Sequence, residues 1–255
     1  MNDSLPVKRA RRAAKADKPV EPDALARRFR DRTATIGVMG LGYVGLPLLR
    51  TAAEHGFAAL GFDIDPVKVE HLNAGRSYLR HITGTSIAAM REAGRLAATA
   101  DFARLAEVEA IIVCVPTPLT RQREPDLSFV VATAESIAAH LRRSQLVVLE
   151  STTYPGTTRE VMRPILERSG LRSGRDFFLA YSPEREDPGN AQFATGDMPK
   201  VVGADGPGAL LLVQALYDGI AARNGSWNST AAPRRSSRSM IVSAGLSRVS
   251  SMFFL

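Results

Sequence analysis

At 255 residues with 45% apolar side chains, the chain can bury a substantial core, in one large domain or two smaller ones. Its single cysteine, Cys114, excludes an internal disulfide and a zinc site built from several cysteines, which fits a reducing cytosol; no metal site is expected. No apolar run approaches the ~20 residues of a membrane span, and the start MNDSLPVKRARR lacks the apolar core of a signal peptide, so a soluble, cytoplasmic protein is expected.

The net charge of +7 sits at the ends of the chain. Residues 1–32 carry ten Lys/Arg against five Asp/Glu, and residues 221–255 carry five Arg and no acid, which leaves 18 basic and 21 acidic side chains between them. Basic ends can grip phosphates, but no aromatic interleaving accompanies these. They are read as solvated, disordered tails rather than as a nucleic-acid surface.

From residue 34 onward, short apolar runs alternate with segments of helical spacing. TIGVM (35–39), FAALGF (57–62), AIIVCV (110–115), LVVLE (146–150) and FFLAY (177–181) read as strands buried on both faces. Helices are expected near 44–54, 66–73, 84–93, 128–141 and 157–168, with Asp65 before Pro66 as one cap and Asp126 or Ser128 as another. This alternation predicts an α/β fold, a Rossmann-type doubly wound parallel sheet over residues 33–220 that binds ligands beyond the carboxyl ends of its strands. After residue 220 the composition changes to a serine-rich, acid-free segment without periodicity.

GLGYVG follows the strand at 35–39 and sets Gly40, Gly42 and Gly45 in a G-x-G-x-x-G arrangement. The first glycine permits a tight turn, the second a close approach of pyrophosphate, the third close packing of helix on strand. Asp63 stands eighteen residues after Gly45, at the end of the 57–62 strand. A carboxylate there accepts hydrogen bonds from the ribose hydroxyls of NAD and repels the 2′-phosphate of NADP. Thr117 and Thr152 lie beyond the strands at 110–115 and 146–150, where a nicotinamide would lie. YSPEREDPGN gathers Glu184, Arg185, Glu186 and Asp187 at the same edge, either as a solvated charged loop or as groups that move protons and hold a polar substrate.

GLGYVGLPL, GFDIDPVKVEHLNAGRSY, VCVPTPLTRQREPDLS, LVVLESTTYPGTT and YSPEREDPGN, in this order and spacing, resemble the UDP-glucose/GDP-mannose dehydrogenase family, nearest to its bacterial UDP-N-acetylglucosamine 6-dehydrogenase branch. The resemblance runs from about residue 34 to about residue 220. It implies NAD as cofactor, a UDP-sugar as substrate, two successive hydride removals that take the sugar C6 alcohol to a carboxylate, and an oligomer in the intact family. By position it implies that Gly40, Tyr43, Val44 and Gly45 approach the pyrophosphate and that Asp63 and Lys68 flank the adenosine ribose. Thr117 and Thr152 would lie at the nicotinamide end. Catalytic parts fall to Thr152 and Glu184, with Glu184 at the reacting sugar beside Arg185, Glu186 and Asp187. The family's glucose-specific members carry a second glutamate four residues on, where this chain has Pro188.

The family's nucleophilic cysteine belongs far downstream, beyond a helix that also supplies a lysine and an asparagine. Cys114 stands within the nucleotide domain and is read as part of a wall, since an unreactive cysteine behaves as a small buried hydrophobe. Lys200 is the last lysine, and no cysteine follows Cys114. The resemblance therefore implies a chain without the family's downstream nucleophile and UDP-gripping domain, through a frameshift near codon 221 or as a genuine short form.

Overall fold

The computed structural model describes residues 18–121, 125–183, 201–220 and 242–243. Its centre is a sheet in which β1 (Thr35–Met39), β2 (Ala58–Phe62), β3 (Leu96–Thr99), β4 (Ala110–Val113), β5 (Leu146–Leu149) and β6 (Phe178–Tyr181) run parallel in the order β3-β2-β1-β4-β5-β6. β7 (Val201–Ala204) adds an antiparallel edge against β6, and the two residues of β8 (Val242–Ser243) pair antiparallel with β7. The order reverses direction between β1 and β4, which opens a crevice at their carboxyl ends. The parallel, doubly wound expectation holds, with an antiparallel edge that the apolar runs did not disclose.

Alternating strand residues feed two separate cores. Ile36, Val38, Ala110, Ile112, Leu146 and Val148 meet α2 (Gly45–Glu54), α3 (Pro66–Asn73), α4 (Gly84–Glu92) and α7 (Pro207–Ile220) on one face. Ile111, Val113, Val147, Leu149 and Leu179 meet α5 (Ser128–His140), α6 (Arg163–Leu166) and the 3-10 turn Phe102–Glu107 on the other. Burial on both sides explains why these strands read as unbroken apolar runs rather than alternating ones.

The capping expectation is met at α3, whereas α5 has Leu127 at its N-cap without a side-chain cap bond, and Asp126 stands one residue before it. Asp65 accepts the Val67 N–H at 2.9 Å, with Pro66 opening α3. Asp126 accepts the Ser128 N–H at 2.9 Å at the start of α5. The helix expected at 157–168 is broken into a π-helical run, Thr157–Met162, the four-residue α6, and a 3-10 turn, Glu167–Ser169.

One expectation needs correcting. Residues 18–32, read as part of a disordered tail, include α1 (Asp23–Arg30), whose Leu25, Ala26 and Phe29 are buried against α7. Its three arginines lie in the last turn, where cations favour the carbonyl end of a helix. Gly219 permits the close seat: a Cβ there would stand 2.7 Å from Phe57 and 3.0 Å from the Phe29 carbonyl oxygen. Residues 1–17 lie outside the described residues, as does the segment after residue 220 apart from β8. Among the described residues no helix is long and apolar enough to cross a membrane, and no cluster of His, Cys, Asp and Glu could hold a metal ion.

Candidate functional site

The crevice where the sheet order reverses is built first by the glycine turn. Gly40 leaves β1 with φ +87°, and a Cβ there would lie 2.7 Å from the Cys114 carbonyl oxygen. Gly45 begins α2 so close to the turn that an added Cβ would stand 1.9 Å from the Gly40 carbonyl oxygen. Gly42 has nothing within 4 Å of the equivalent point, so its backbone faces open space. Two contacts that no side chain tolerates thus flank one position left open for a ligand.

Asp63 sits just past β2 and is 6% exposed. Its Oδ2 accepts the Leu41 N–H at 2.8 Å and the Lys68 ammonium at 3.1 Å, while Oδ1 accepts the Asp65 N–H at 2.9 Å. The carboxylate therefore ties the glycine turn to the start of α3. Tyr78 completes the arrangement by donating its hydroxyl to the Leu41 carbonyl at 2.6 Å. Burial, and then the nearby Asp63 and Asp65 carboxylates, push the Tyr78 hydroxyl above the ordinary tyrosine range.

Beyond β4 and β5 the loops are tied to each other. The Thr117 hydroxyl donates to the Thr152 carbonyl at 2.6 Å, and the Ser151 hydroxyl to the Val115 carbonyl at 2.9 Å. A cavity of about 580 Å³ runs along this edge. Gly40, Gly42, Tyr43, Val44, Asp63, Lys68, Thr117 and Thr152 all line it, and Gly45 lies buried beneath the turn. Of the residues singled out from sequence, these nine come together. Glu184, Arg185, Glu186 and Asp187 lie outside the described residues.

Two features of the cavity escaped the sequence reading, the Phe62–Phe102 pair and Glu150, while Cys114 takes the wall position expected of it. Phe62 and Phe102, with ring centroids 6.1 Å apart, form an apolar wall at its β2 side. Cys114, 8% exposed, packs beneath the turn and also contributes to the wall. Glu150, only 1% exposed, closes β5 and accepts the Tyr217 hydroxyl of α7 on Oε2 at 2.5 Å. Burial first, and Glu150 next, hold the Tyr217 hydroxyl well above the ordinary tyrosine range. The sequence signal for Glu150 was an acid ending an apolar strand at the edge where ligands bind, but nothing local names its partner.

A glycine turn open only at its second glycine, beside a buried acid at the next strand end, suits a dinucleotide. The family model for the UDP-glucose/GDP-mannose dehydrogenase family, NAD binding domain, matches residues 34–221. The chain belongs to the UDP-glucose/GDP-mannose dehydrogenase family.

It carries that family's NAD-binding domain, and NAD is its cofactor. The UDP-N-acetyl-D-glucosamine 6-dehydrogenase of Pseudomonas aeruginosa is 39% identical over 185 residues, which span 71% of this chain and 42% of that protein. The UDP-N-acetyl-D-mannosamine dehydrogenase of Pyrococcus horikoshii is 34% identical over 186 residues, spanning 71% and 44%. Among solved structures, the NDP-N-acetyl-D-galactosaminuronic acid dehydrogenase of Methanosarcina mazei superposes with a TM-score of 0.71 at 30% identity, covering 79% of this chain and 45% of that one. The chain thus spans less than half the length of the relatives it matches. The homologues of this dehydrogenase-family chain are nucleotide-sugar dehydrogenases, and it matches them over the cofactor-binding part.

Proposed function

We propose that this chain is the NAD-binding part of a cytoplasmic dehydrogenase that oxidises the C6 alcohol of a UDP-N-acetylhexosamine to the carboxylate. The observation that carries this reading is the cavity along the carboxyl ends of β2, β1, β4 and β5, lined by eight residues of the expected cofactor set. Support for the substrate class comes from relatives whose names specify N-acetylated nucleotide sugars.

When bound, NAD supplies the hydride acceptor for alcohol oxidation. The chain's own residues would do the rest of the binding. The open face of Gly42, with Tyr43 and Val44 in the turn that leads into α2, would let the pyrophosphate approach the backbone. Asp63 and Lys68 meet the adenosine ribose. Thr117 and Thr152, joined by their hydrogen bond, hold the edge where the ring and the sugar carbon meet. Glu184 and its neighbours Arg185, Glu186 and Asp187 would face the sugar.

A second reading is favoured by the span: a chain covering about 42% of its relative could bind NAD without turning over sugar. Positioning a substrate over its reaction partner contributes roughly 7–11 kcal/mol to lowering a barrier. Cys114, packed under the glycine turn, is badly placed to add to an aldehyde. Purified chain is titrated with NAD and NADP by calorimetry, then mixed with NAD and UDP-N-acetylglucosamine while NADH absorbance is followed. The expected result is binding that prefers NAD, with no NADH formed by this chain alone. Tighter binding of NADP would overturn the cofactor reading; two NADH per sugar, lost in Glu184→Gln, would show that these 255 residues suffice.

A further inference from the structure

We infer that Asn73 and Arg91 plug the β3 edge of the sheet, and that the surface they close fits a second copy of this chain, paired strand to strand. β3 ends the sheet beyond β2. In a parallel ladder, alternate residues of an edge strand bond inward, and the residues between them point their N–H and C=O outward. The Ala59 N–H bonds to the Arg95 carbonyl and the Asp63 N–H to the Thr99 carbonyl. Leu96 and Ala98 therefore point outward. A row of such groups is a template for another strand. The strand itself, LAAT, is short but carries no charge and no proline to turn one away.

Asn73, the last residue of α3, meets Ala98 at both of its backbone groups. Its Nδ2 donates to the Ala98 carbonyl at 2.8 Å, and its Oδ1 accepts the Ala98 N–H at 3.0 Å. The side-chain amide thus stands where the peptide group of a neighbouring strand would stand. Arg91, near the end of α4, donates to the same Oδ1 at 3.0 Å and to the Leu96 carbonyl at 3.5 Å. Of the four outward groups, the N–H and C=O of Leu96 and of Ala98, three are taken by these two side chains. Leu96 and Ala98 are accordingly 2% and 5% exposed although their strand ends the sheet. The chemistry of the position is specific. Ala98 presents a donor and an acceptor together, which a primary amide matches, whereas a carboxylate of the same length accepts but cannot donate. An incoming strand must displace both side chains. Without them, two copies related by a twofold axis can lay their β3 edges antiparallel, Ala98 of each facing Leu96 of the other, in a self-complementary contact.

The test compares the purified wild-type chain with an unplugged variant, Asn73→Ala with Arg91→Ala, across a range of concentration. Sedimentation equilibrium gives the average mass, and NMR gives the exchange rate of the Ala98 amide. In dilute solution that amide should exchange about two- to twelvefold faster in the variant, the effect of losing one hydrogen bond. As concentration rises, the variant's mass should climb above that of the wild type while the Ala98 amide regains protection, because a second copy now accepts it. General loosening of the chain would speed exchange without any return of protection, and that result overturns the inference. So does a mass profile that matches the wild type throughout. Adding Ala98→Pro removes the outward donor at a position where an edge strand tolerates proline. It should return the mass to the wild-type profile, and association that survives it refutes strand pairing. Should that variant fail to fold, Asn73→Lys with Arg91→Ala takes its place, since a lysine on an edge strand keeps copies apart by charge. Fast Ala98 exchange with wild-type mass is then expected, and association as strong as in the unplugged variant refutes the assignment.

Discussion

Removing one oxygen from Tyr78 should loosen the cofactor turn measurably. Tyr78 lies between α3 and α4, and its hydroxyl donates to the carbonyl of Leu41, whose N–H is held by Asp63. In a trans peptide the carbonyl and the following N–H point in opposite directions, so the hydroxyl that fixes Leu41 C=O also fixes Gly42 N–H. Leu41 is fully buried, and in Tyr78→Phe its carbonyl loses a partner that water does not readily replace. The lost hydrogen bond costs about 0.5–1.5 kcal/mol, and an orphaned acceptor raises this to about 1–3 kcal/mol. For a domain of this size that lowers the melting temperature by roughly 2–10 °C. If the bond energy is felt in full at the turn, NAD binding weakens by about two- to twelvefold.

The pH dependence has a definite sign. Burial and two carboxylates raise the folded Tyr78 hydroxyl above its unfolded value of about 10, so its contribution is fully present below pH ~10 and is lost as pH rises toward the folded value. The gap in melting temperature between wild type and Tyr78→Phe should stay constant from about pH 7 to 9 and narrow above about pH 10. Thermal melts across this range and calorimetric NAD titration at neutral pH measure both effects. Equal stability and equal NAD affinity at neutral pH would refute the reasoning, as would a gap that widens with alkali.

Cys114→Ala should leave NAD affinity unchanged and cost of order 1 kcal/mol, the loss of a small buried group, read from urea melts; a loss of NAD binding would show that the sulfur does more than pack. Gly45→Ala places a Cβ 1.9 Å from the Gly40 carbonyl oxygen, so the turn must shift by more than 1 Å; NAD binding should vanish in calorimetry with stability lowered by about 1–3 kcal/mol or more. Asp63→Ala should narrow the preference for NAD over NADP, and an unchanged ratio of the two affinities would remove Asp63 from that role.

Local chemistry was legible in the sequence, and distant pairing was not. GLGYVG, Asp63 and the apolar runs of β4 and β5 declare themselves because each signal lies within a few residues. β3 did not: LAAT is alanine-rich and becomes a strand by pairing with Ala59–Phe62 at the sheet edge, where tertiary pairing overrides weak propensity. α7 lacks a clear polar stripe because residues from Ala209 to Ile220 are buried on several sides, so helical periodicity is blurred. α1 was hidden by four charges in eight residues, although three buried side chains share one face. The Glu150–Tyr217 and Leu41–Tyr78 contacts join residues 67 and 37 positions apart, and no spacing rule links them.

Asp63 shows why a familiar motif residue cannot be assigned one duty. Its carboxylate is already engaged by the Leu41 N–H, the Asp65 N–H and the Lys68 ammonium before any ribose arrives. Alanine there would remove the ribose acceptor and free the glycine turn at once, so a fall in NAD affinity alone says little about ribose recognition. Asp63→Asn separates the two. An amide has a single acceptor oxygen, so it can keep Leu41 or Asp65 but not both, and in either orientation Lys68 loses the charge that holds it. The Asn variant should therefore lose NAD affinity yet cease to repel a 2′-phosphate, with Lys68 then available to that phosphate. The ratio of NADP to NAD affinity should rise more in Asp63→Asn than in the double variant Asp63→Asn with Lys68→Met. Equal ratios in the two would mean that Lys68 only supports the turn and does not meet the ribose end of the cofactor.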